Sequence, residues 1–136
     1  MESPEQPLVS PTVIDHAQNP RNTGPLADCS GNARITGPCG DTMEFWVLVR
    51  DGTLEKVSFV TDGCGPSLAC GSMATCLAEG KRLEQAAAIG QRDILGALGG
   101  LPTEVLHCAL LAANTLMAAC EDAARRERAA AERAGQ

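Results

Sequence analysis

Three cysteines stand in settings that suit chemistry at a thiol. Cys64 lies between two glycines, Cys39 lies within a Gly-Pro-Cys-Gly-Asp segment, and Cys108 directly follows a histidine. Glycine on both sides of a thiol predicts a bare turn that leaves the sulfur uncovered and lets the backbone approach a ligand closely. We therefore expect these thiols to be functional, and we expect them to converge in the fold.

Two further residues extend the three thiols to a set of metal donors. Asp41 comes two residues after Cys39, and His107 immediately precedes Cys108. Thiolates select zinc, iron or an iron–sulfur cluster, and four donors satisfy a tetrahedral centre. Because the sequence contains no Cys-x-x-Cys pair, the fold would have to gather the ligands from three separate loops. Such a site suits a cluster that is both built and released.

The individual donors are expected to differ in role. Asp41 offers a hard oxygen among soft sulfurs, so we interpret it as a labile ligand. Cys108 is expected near the start of the last helix, where the partial positive charge of the N-terminus favours thiolate over thiol. For His107, a ligand or proton-handling role and a plain capping or surface role both stay open. His16 is predicted to make a structural hydrogen bond.

The other four cysteines are predicted to lie outside this site. Cys70 and Cys76 follow Cys64 at intervals of six, which places them on separate faces of a helix. They therefore do not form a ligand pair, and Cys70 is interpreted as a small buried hydrophobic residue. Cys29, in a polar loop open to oxidation, and Cys120, on the last helix, are interpreted as incidental thiols.

Length and composition indicate one acidic domain. The chain has 136 residues, of which 44% are hydrophobic and 2% aromatic, so the core must be built from aliphatic and small side chains. The net charge of -6 argues against a nucleic-acid or anionic-membrane partner. We expect no signal peptide and no segment apolar enough to span a bilayer. Seven cysteines then indicate a reducing, cytoplasmic environment.

Three stretches predict a small antiparallel sheet. Residues 43–50 and 54–61 are rich in β-branched and apolar side chains, and an Asp-Gly pair between them is a strong hairpin signal. Residues 33–36 are expected to form a short edge strand. The residues before the first strand of a hairpin and after its second strand lie at the same end, so Cys39 and Cys64 should be neighbours.

Helical segments are predicted on both sides of these strands. The first runs from Pro11 to about residue 19, with Val13, Ile14 and Ala17 on its apolar side. Ser67 is expected to cap a thin helix that is pressed on the sheet and runs to about residue 79.

Shorter helices are predicted at 83–88 and 92–98, followed by a long C-terminal helix that Thr103 caps. Its core stripe is expected to contain Val105, Leu106, Leu110, Leu111, Leu116 and Met117. The predicted organisation is a flexible lead at 1–10, a single domain at 11–122 and a charged, Ala-rich tail at 123–136 that is helical or disordered.

Five short motifs occur in order between about residues 12 and 122. They are Val13-Ile14-Asp15-His16, Asn19-Pro20-Arg21-Asn22, Cys39-Gly40-Asp41, Gly63-Cys64-Gly65, and Leu101-Pro102 leading to His107-Cys108. Together they resemble the iron–sulfur cluster scaffold family of IscU and the N-terminal domain of NifU. The resemblance implies an α+β fold in which a small antiparallel sheet packs against helices.

The resemblance also implies a function and its participants. A cysteine desulfurase would deliver sulfur as persulfide, and iron and an electron donor such as ferredoxin would complete a [2Fe-2S] cluster for apo iron–sulfur proteins. By motif position, the family's cluster cysteines fall on Cys39, Cys64 and Cys108, its aspartate on Asp41 and its histidine on His107. Cys108 would accept the persulfide.

Two departures refine the resemblance. Residues 101–105 lack the second proline and the lysine of the family's chaperone-docking element, so the sequence does not predict a dedicated chaperone. Cys64 and Cys108 are 44 positions apart, which is close to the IscU and NifU spacing. The zinc-dependent SufU branch inserts extra residues between these two cysteines.

Three hypotheses follow for the function. The first is a scaffold, not a turnover enzyme, that acts as a monomer or transient dimer. The second is a zinc-bound sulfur-transfer protein of the SufU type, in which Cys108 takes the persulfide while Cys39, Cys64 and Asp41 hold the metal. The third is a purely structural zinc protein. Zinc in a purified sample would not decide between them, because the same thiolates bind either metal.

Overall fold

The structure of the chain is a computed structural model in which residues 9–135 are described. Its elements are α1 (Pro11–Gln18), β1 (Gly31–Thr36), β2 (Thr42–Arg50), β3 (Thr53–Thr61), α2 (Gly65–Ala78), α3 (Leu83–Ala87), α4 (Gln91–Leu98), a 3-10 turn (Thr103–Val105) and α5 (Leu106–Ala134). The predicted α+β fold, with a small antiparallel sheet and a long C-terminal helix, is confirmed. The first eight residues of the predicted flexible lead lie outside the described residues.

The sheet is a meander of three antiparallel strands with β2 in the centre. The predicted hairpin turn is present: Asp51 and Gly52 have φ values of 55° and 78°, which suit the right-handed twist of the strands they join. Alternate residues of β2 face the helices, and Met43, Phe45 and Val47 are fully buried there. The hydrophobic core therefore lies on one face of the sheet.

Helices α2 and α5 pack so closely against this face of the sheet that glycine is needed at the points of contact. A Cβ atom added at Gly71 of α2 would lie 2.3 Å from the ring of Phe59, and one added at Gly31 of β1 would lie 2.4 Å from the carbonyl oxygen of Ala119. No Cβ atom approaches other atoms so closely, so both positions need glycine. The expectation of a thin helix pressed on the sheet is thereby confirmed for α2.

The predicted apolar stripes of α1 and α5 are partly wrong. Leu111 and Leu116 of α5 are buried as expected, but Leu110 is 44% exposed and Met117 is 38% exposed. Helix α5 instead buries mainly small side chains, because it lies too close to the sheet to insert large ones. Similarly, Ile14 of α1 is exposed.

Two predicted helix caps are also wrong. Helix α2 begins at Gly65 with Cys64 at its N-cap position, because Pro66 fits the first turn of a helix without losing a hydrogen bond. Ser67 is therefore inside the helix, and its hydroxyl is free for other partners. Thr103 begins the 3-10 turn, and its side chain caps no helix.

The expectation that no segment is apolar enough to span a bilayer is wrong as well. The helical segment Thr103–Ala134 meets the length and composition criteria for a membrane span, since it is rich in alanine. Half of its most apolar window is buried inside the domain. The apolar side of this segment packs against the sheet and against α2.

Both edges of the sheet are contacted by segments that are not strands. At the β1 edge, the amide of Asn32 donates to the carboxylate of Asp122 at 2.9 Å. Asp122 is buried in α5 and is also paired with Arg125 and Arg126. At the β3 edge, the amide of Phe59 donates to the carbonyl oxygen of Asn22 at 3.0 Å.

The charged segment after residue 122 is helical as far as Ala134. The predicted domain boundary at residue 122 falls inside α5, where the carboxylate of Asp122 and the side chain of Ala123 are still buried. Helix α5 has no break at this point, so nothing in the backbone marks the boundary. The division of the chain at residue 122 stays a prediction.

His16 makes the predicted structural hydrogen bond. Its Nδ1 atom lies 2.7 Å from the hydroxyl of Ser72, which also accepts from the backbone amide of Arg21 at 2.9 Å. The side chain is 7% exposed, and this burial lowers the pKa of His16, with a smaller contribution from the positive charge of Arg21. Helix α1 and the loop that follows it are thus tied to α2 through a neutral imidazole.

This network predicts a pH-dependent stability. The folded state lowers the pKa of His16 below its ordinary value of 6.5, so the unfolded state binds the proton more tightly. The free energy of unfolding should be highest above pH 6.5 and should fall as the pH is lowered below it. Urea denaturation between about pH 7.5 and about pH 5 measures this slope.

His16→Gln should flatten the slope, whereas His107→Gln, which removes an exposed histidine outside the network, should retain it. Equal slopes for the wild-type protein and His16→Gln would contradict the role assigned to His16.

Candidate metal centre

The turn between β1 and β2 presents Cys39 at one end of the sheet. The amide of Gly40 donates to the carbonyl oxygen of Gly37 at 3.0 Å, and the amide of Gly37 donates to the carbonyl oxygen of Asp41 at 2.8 Å. Gly40 has a φ of 96°, a conformation that favours glycine. These bonds close a tight turn, and Cys39 is exposed at its tip.

The connection from β3 to α2 presents Cys64 at the same end. Met43 of β2 pairs with Thr61 of β3, so the turn that precedes β2 and the loop that follows β3 leave the sheet together. The carboxylate of Asp62 accepts from the amide of Thr42 at 2.8 Å, which joins the two segments. Cys64 is exposed. The expectation from the hairpin, that both loops lie at one end, is confirmed.

Cys108 lies in the first turn of α5 and is only 2% exposed. A Cβ atom at Gly37 would lie 3.5 Å from the methyl groups of Leu111, so the turn carrying Cys39 packs against the same helical turn. The side-chain amide of Gln91 donates to the carbonyl oxygen of Leu106 at 3.0 Å and fixes the start of α5. The third loop thus reaches the same end of the molecule.

Ser67 joins these loops through one buried hydroxyl. Its Oγ donates to Oδ2 of Asp41 at 3.0 Å and lies 3.5 Å from Sγ of Cys108. A Cβ atom at Gly63 would lie 2.4 Å from this Oγ and 2.9 Å from Oδ2 of Asp41. The glycine before Cys64 is therefore required by packing against Ser67 and Asp41.

Electrostatics at Cys108 favour the neutral thiol. Burial raises the pKa of Cys108, and the negative charges of Asp41, Cys64 and Cys39 raise it further. The hydroxyl of Ser67 acts in the opposite direction, since it can donate to a thiolate. The expectation that the helix N-terminus favours the thiolate is wrong, because the cost of burying the charge dominates. The carboxylate of Asp41 and the sulfur of Cys108 both contact the hydroxyl of Ser67, which places these two groups close together.

The predicted donors are neighbours without forming a ready-made ligand set. Among residues 9–135, no three His, Cys, Asp or Glu side chains are arranged to hold a metal ion. Cys39 and Cys64 face solvent, whereas Cys108 is buried against Ser67, and His107 is exposed. Ligation would require Cys108 to turn away from Ser67. The ligand set of Cys39, Asp41, Cys64, His107 and Cys108 therefore stays a prediction.

The chemistry of these donors fits iron and zinc. Soft thiolates with one carboxylate satisfy zinc in a tetrahedral site, and thiolates also hold iron–sulfur clusters. Two exposed thiols, those of Cys39 and Cys64, and the partly buried carboxylate of Asp41 leave access for a metal from solvent. Asp41, Cys64 and Cys39 all influence the pKa of Cys108, so these four are the donors that the structure relates to one another.

The remaining cysteines behave mostly as predicted. Cys70 and Cys120 are buried, and burial raises the pKa of both thiols, that of Cys120 to about 12. Cys70 is thereby confirmed as a small buried hydrophobe. Cys76 is exposed on α2, and Cys29 is partly buried in the loop before β1.

Sequence reasoning missed Ser67 as a member of the site. It was predicted to cap a helix, whereas its hydroxyl bonds to Asp41, 26 positions earlier in the chain. No local pattern signals such a contact, because it depends on how α2 is placed against the turn before β2. The Gly63-Cys64-Gly65 motif does identify the connection from β3 to α2, which directly precedes Ser67.

Comparison with known proteins places the chain in a family. Residues 8–130 match the family model described as the NifU-like N terminal domain. The chain is 42% identical over 116 residues to the iron-sulfur cluster assembly scaffold protein IscU 1 of Archaeoglobus fulgidus, covering 85% of this chain and 76% of the relative. It is 39% identical over 118 residues to IscU of Escherichia coli, covering 83% of this chain and 91% of that protein.

A solved structure supports the fold independently. A candidate scaffold protein for the SUF system of Fervidobacterium islandicum matches with a TM-score of 0.67 at 18% identity. The match covers 83% of this chain and 96% of the solved chain. At this level of identity the likeness shows the fold alone.

The burial of the thiols predicts their order of reaction with iodoacetamide. Cys39, Cys64 and Cys76 should be modified first in the metal-free protein, because their sulfurs are reached from solvent. Cys108 should react more slowly than Cys39 by a factor of about ten or more. The other buried thiols, Cys70 and Cys120, should be similarly slow. Peptide mass spectrometry at successive times measures the order.

In urea all seven cysteines should react at similar rates, which serves as the control. Native modification of Cys108 as fast as that of Cys39 would contradict the buried placement.

Proposed function

Since this chain belongs to the family of NifU-like N-terminal domains, we propose that it is a scaffold on which an iron–sulfur cluster is assembled. The cluster is of the [2Fe-2S] type and is transferred afterwards to apo iron–sulfur proteins. The observation that carries the proposal is the contact of Asp41 and Cys108 through Ser67, at the end of the sheet where Cys39 and Cys64 are exposed. A buried thiol, a carboxylate and two accessible thiols are then available within one site.

The exposed and buried thiols have different tasks in this proposal. Cys39 and Cys64 meet iron from solvent, since both lie on loops without covering side chains. Cys108 accepts sulfur from a cysteine desulfurase. Its thiolate attacks the outer sulfur of the desulfurase persulfide, a new S–S bond forms on Cys108, and the desulfurase cysteine leaves as a thiolate.

Burial of Cys108 sets a condition on this transfer. The sulfur is 2% exposed, so the first turn of α5 or the loop carrying Asp41 must move before a desulfurase cysteine can reach it. Burial also keeps the thiol neutral and protected when no partner is bound. Docking of the desulfurase is therefore the step that exposes the sulfur acceptor.

The remaining participants follow from the same chemistry. An electron donor such as ferredoxin reduces the delivered sulfur, and iron supplies the metal. The acidic chain takes neither nucleic acid nor a membrane as partner and works in the cytoplasm as a monomer or transient dimer. Residues 101–105 do not predict a dedicated chaperone. It is a carrier and not a turnover enzyme, in keeping with the scaffold names of its relatives.

A second candidate function is sulfur transfer on a bound zinc ion, as proposed for a SufU-type protein. The observation in its favour is the donor set itself, because three thiolates and a carboxylate satisfy zinc at a tetrahedral site. In this alternative Cys39, Cys64 and Asp41 hold the zinc, and Cys108 carries the sulfur.

Anaerobic incubation with a cysteine desulfurase, cysteine, ferrous iron and a reductant tests the proposal. We expect a brown product with visible absorption, and mass spectrometry of an iron-free sample should find the added sulfur on Cys108. Serine at position 39, 64 or 108 should abolish the absorption. Cys76→Ser, which removes an exposed thiol outside the site, should have no effect.

Zinc retention with persulfide turnover and no absorbing product would favour the second function. Absence of both cluster and persulfide would leave only a structural zinc protein.

The lability assigned to Asp41 gives a separate prediction. Replacing the hard oxygen ligand should slow release of the cluster, so Asp41→Ala should hold its cluster about ten-fold longer in air. Decay of the visible absorption measures the lifetime. Asp28→Ala, at an exposed aspartate in the loop before β1, is the matched control. A cluster that decays equally fast in all three proteins would contradict the role of Asp41.

A further inference from the structure

We propose that Ser67 is the positioning residue that holds the Asp41 carboxylate in place for metal binding, an inference that rests on the proposed function. Ser67 lies in the first turn of α2, three residues after Cys64. Its Oγ contacts both Asp41 and Cys108, so one hydroxyl joins all three loops that carry the predicted ligands. Ser67 itself touches no metal in this arrangement; it acts through Asp41.

The direction of these hydrogen bonds is fixed by chemistry. An ionised carboxylate only accepts, so the single proton of the Ser67 hydroxyl goes to Oδ2 of Asp41 at 3.0 Å. The neutral thiol of Cys108 then donates to the lone pair of Ser67 Oγ at 3.5 Å. When Cys108 turns toward a metal, only this weak thiol contact is lost. The bond from Ser67 to Asp41 persists.

Among the described residues, the Ser67 hydroxyl has no hydrogen-bond partner other than Asp41 and Cys108. The side chain is fully buried and caps no helix, and a side chain at Gly63 would collide with both Ser67 and Asp41. Asp41 is only partly buried, so without Ser67 its carboxylate would bond to water and adopt many orientations. A ligand that is already oriented loses less conformational entropy when the metal binds.

Hydrogen-bond partners of metal ligands of this kind affect affinity strongly. Their removal typically weakens metal binding by about 10-fold to 100-fold. We therefore expect Ser67→Ala to weaken zinc binding by a factor in this range, measured with zinc alone in competition with a chromophoric chelator. Ser58→Ala is the matched control, since Ser58 is also a buried serine but its hydroxyl has no hydrogen-bond partner among the described residues. Its affinity should equal that of the wild-type protein.

A double-mutant cycle separates positioning from a structural effect. If Ser67 acts through Asp41, then Ser67→Ala should weaken zinc binding in the wild-type background and have no further effect in Asp41→Ala. Ser67→Thr retains the hydroxyl and should keep an affinity close to that of the wild-type protein. Alanine favours the helix, so Ser67→Ala should fold, which circular dichroism checks. Ser67→Val, compared with Ser67→Thr of the same shape, removes the hydroxyl if the alanine variant is unfolded.

The outcomes distinguish the inference from the proposed function. Zinc binding that is independent of Cys39, Cys64 and Cys108 would overturn both. Zinc binding that requires these cysteines but is equally tight in wild type and in the folded variant without the Ser67 hydroxyl would overturn the inference alone. An equal loss of affinity in the wild-type and Asp41→Ala backgrounds would also overturn it, because Ser67 would then act independently of the carboxylate.

Discussion

The close seating of α2 and α5 on one face of the sheet is the constraint on which the rest of the molecule depends. Phe59 fills the space that a side chain at Gly71 would need, and the backbone of α5 fills that at Gly31. Both helices can therefore begin at the same end of the sheet. Ser67, in the first turn of α2, consequently touches Cys108 in the first turn of α5. The candidate metal centre, which is built from distant segments, therefore depends on Gly31 and Gly71, although neither glycine has a reactive side chain.

Local patterns predicted the strands and the shared end of the sheet, because a two-residue turn joins neighbouring antiparallel strands. The register along the hairpin was not predicted, since it shifts at a bulge between Leu48 and Val49. Its Asp51-Gly52 turn is an example in which residue type and geometry agree. The exposure of Leu110 and the burial of Cys108 depend instead on how closely α5 approaches the sheet. The same holds for Ser67, whose partner comes from a distant loop. Periodicity along one helix contains no information on such distances.

The candidate site brings the carboxylate of Asp41 close to the buried thiol of Cys108. Asp41, Cys64 and Cys39 all raise the pKa of Cys108, and the hydroxyl of Ser67 is the donor that the described residues provide to the Asp41 carboxylate. A bound cation reverses this preference, because it favours the deprotonated form of each ligand. Local rules of stability are typically relaxed at such functional sites.

The contacts at both edges of the sheet affect whether a second copy of the chain can add a strand. The amide of Asn32 is occupied by Asp122, and that of Phe59 by the carbonyl oxygen of Asn22. An incoming strand from another copy therefore finds these donors already used. Addition of a further strand to the sheet therefore lacks a hydrogen-bond template at these two positions.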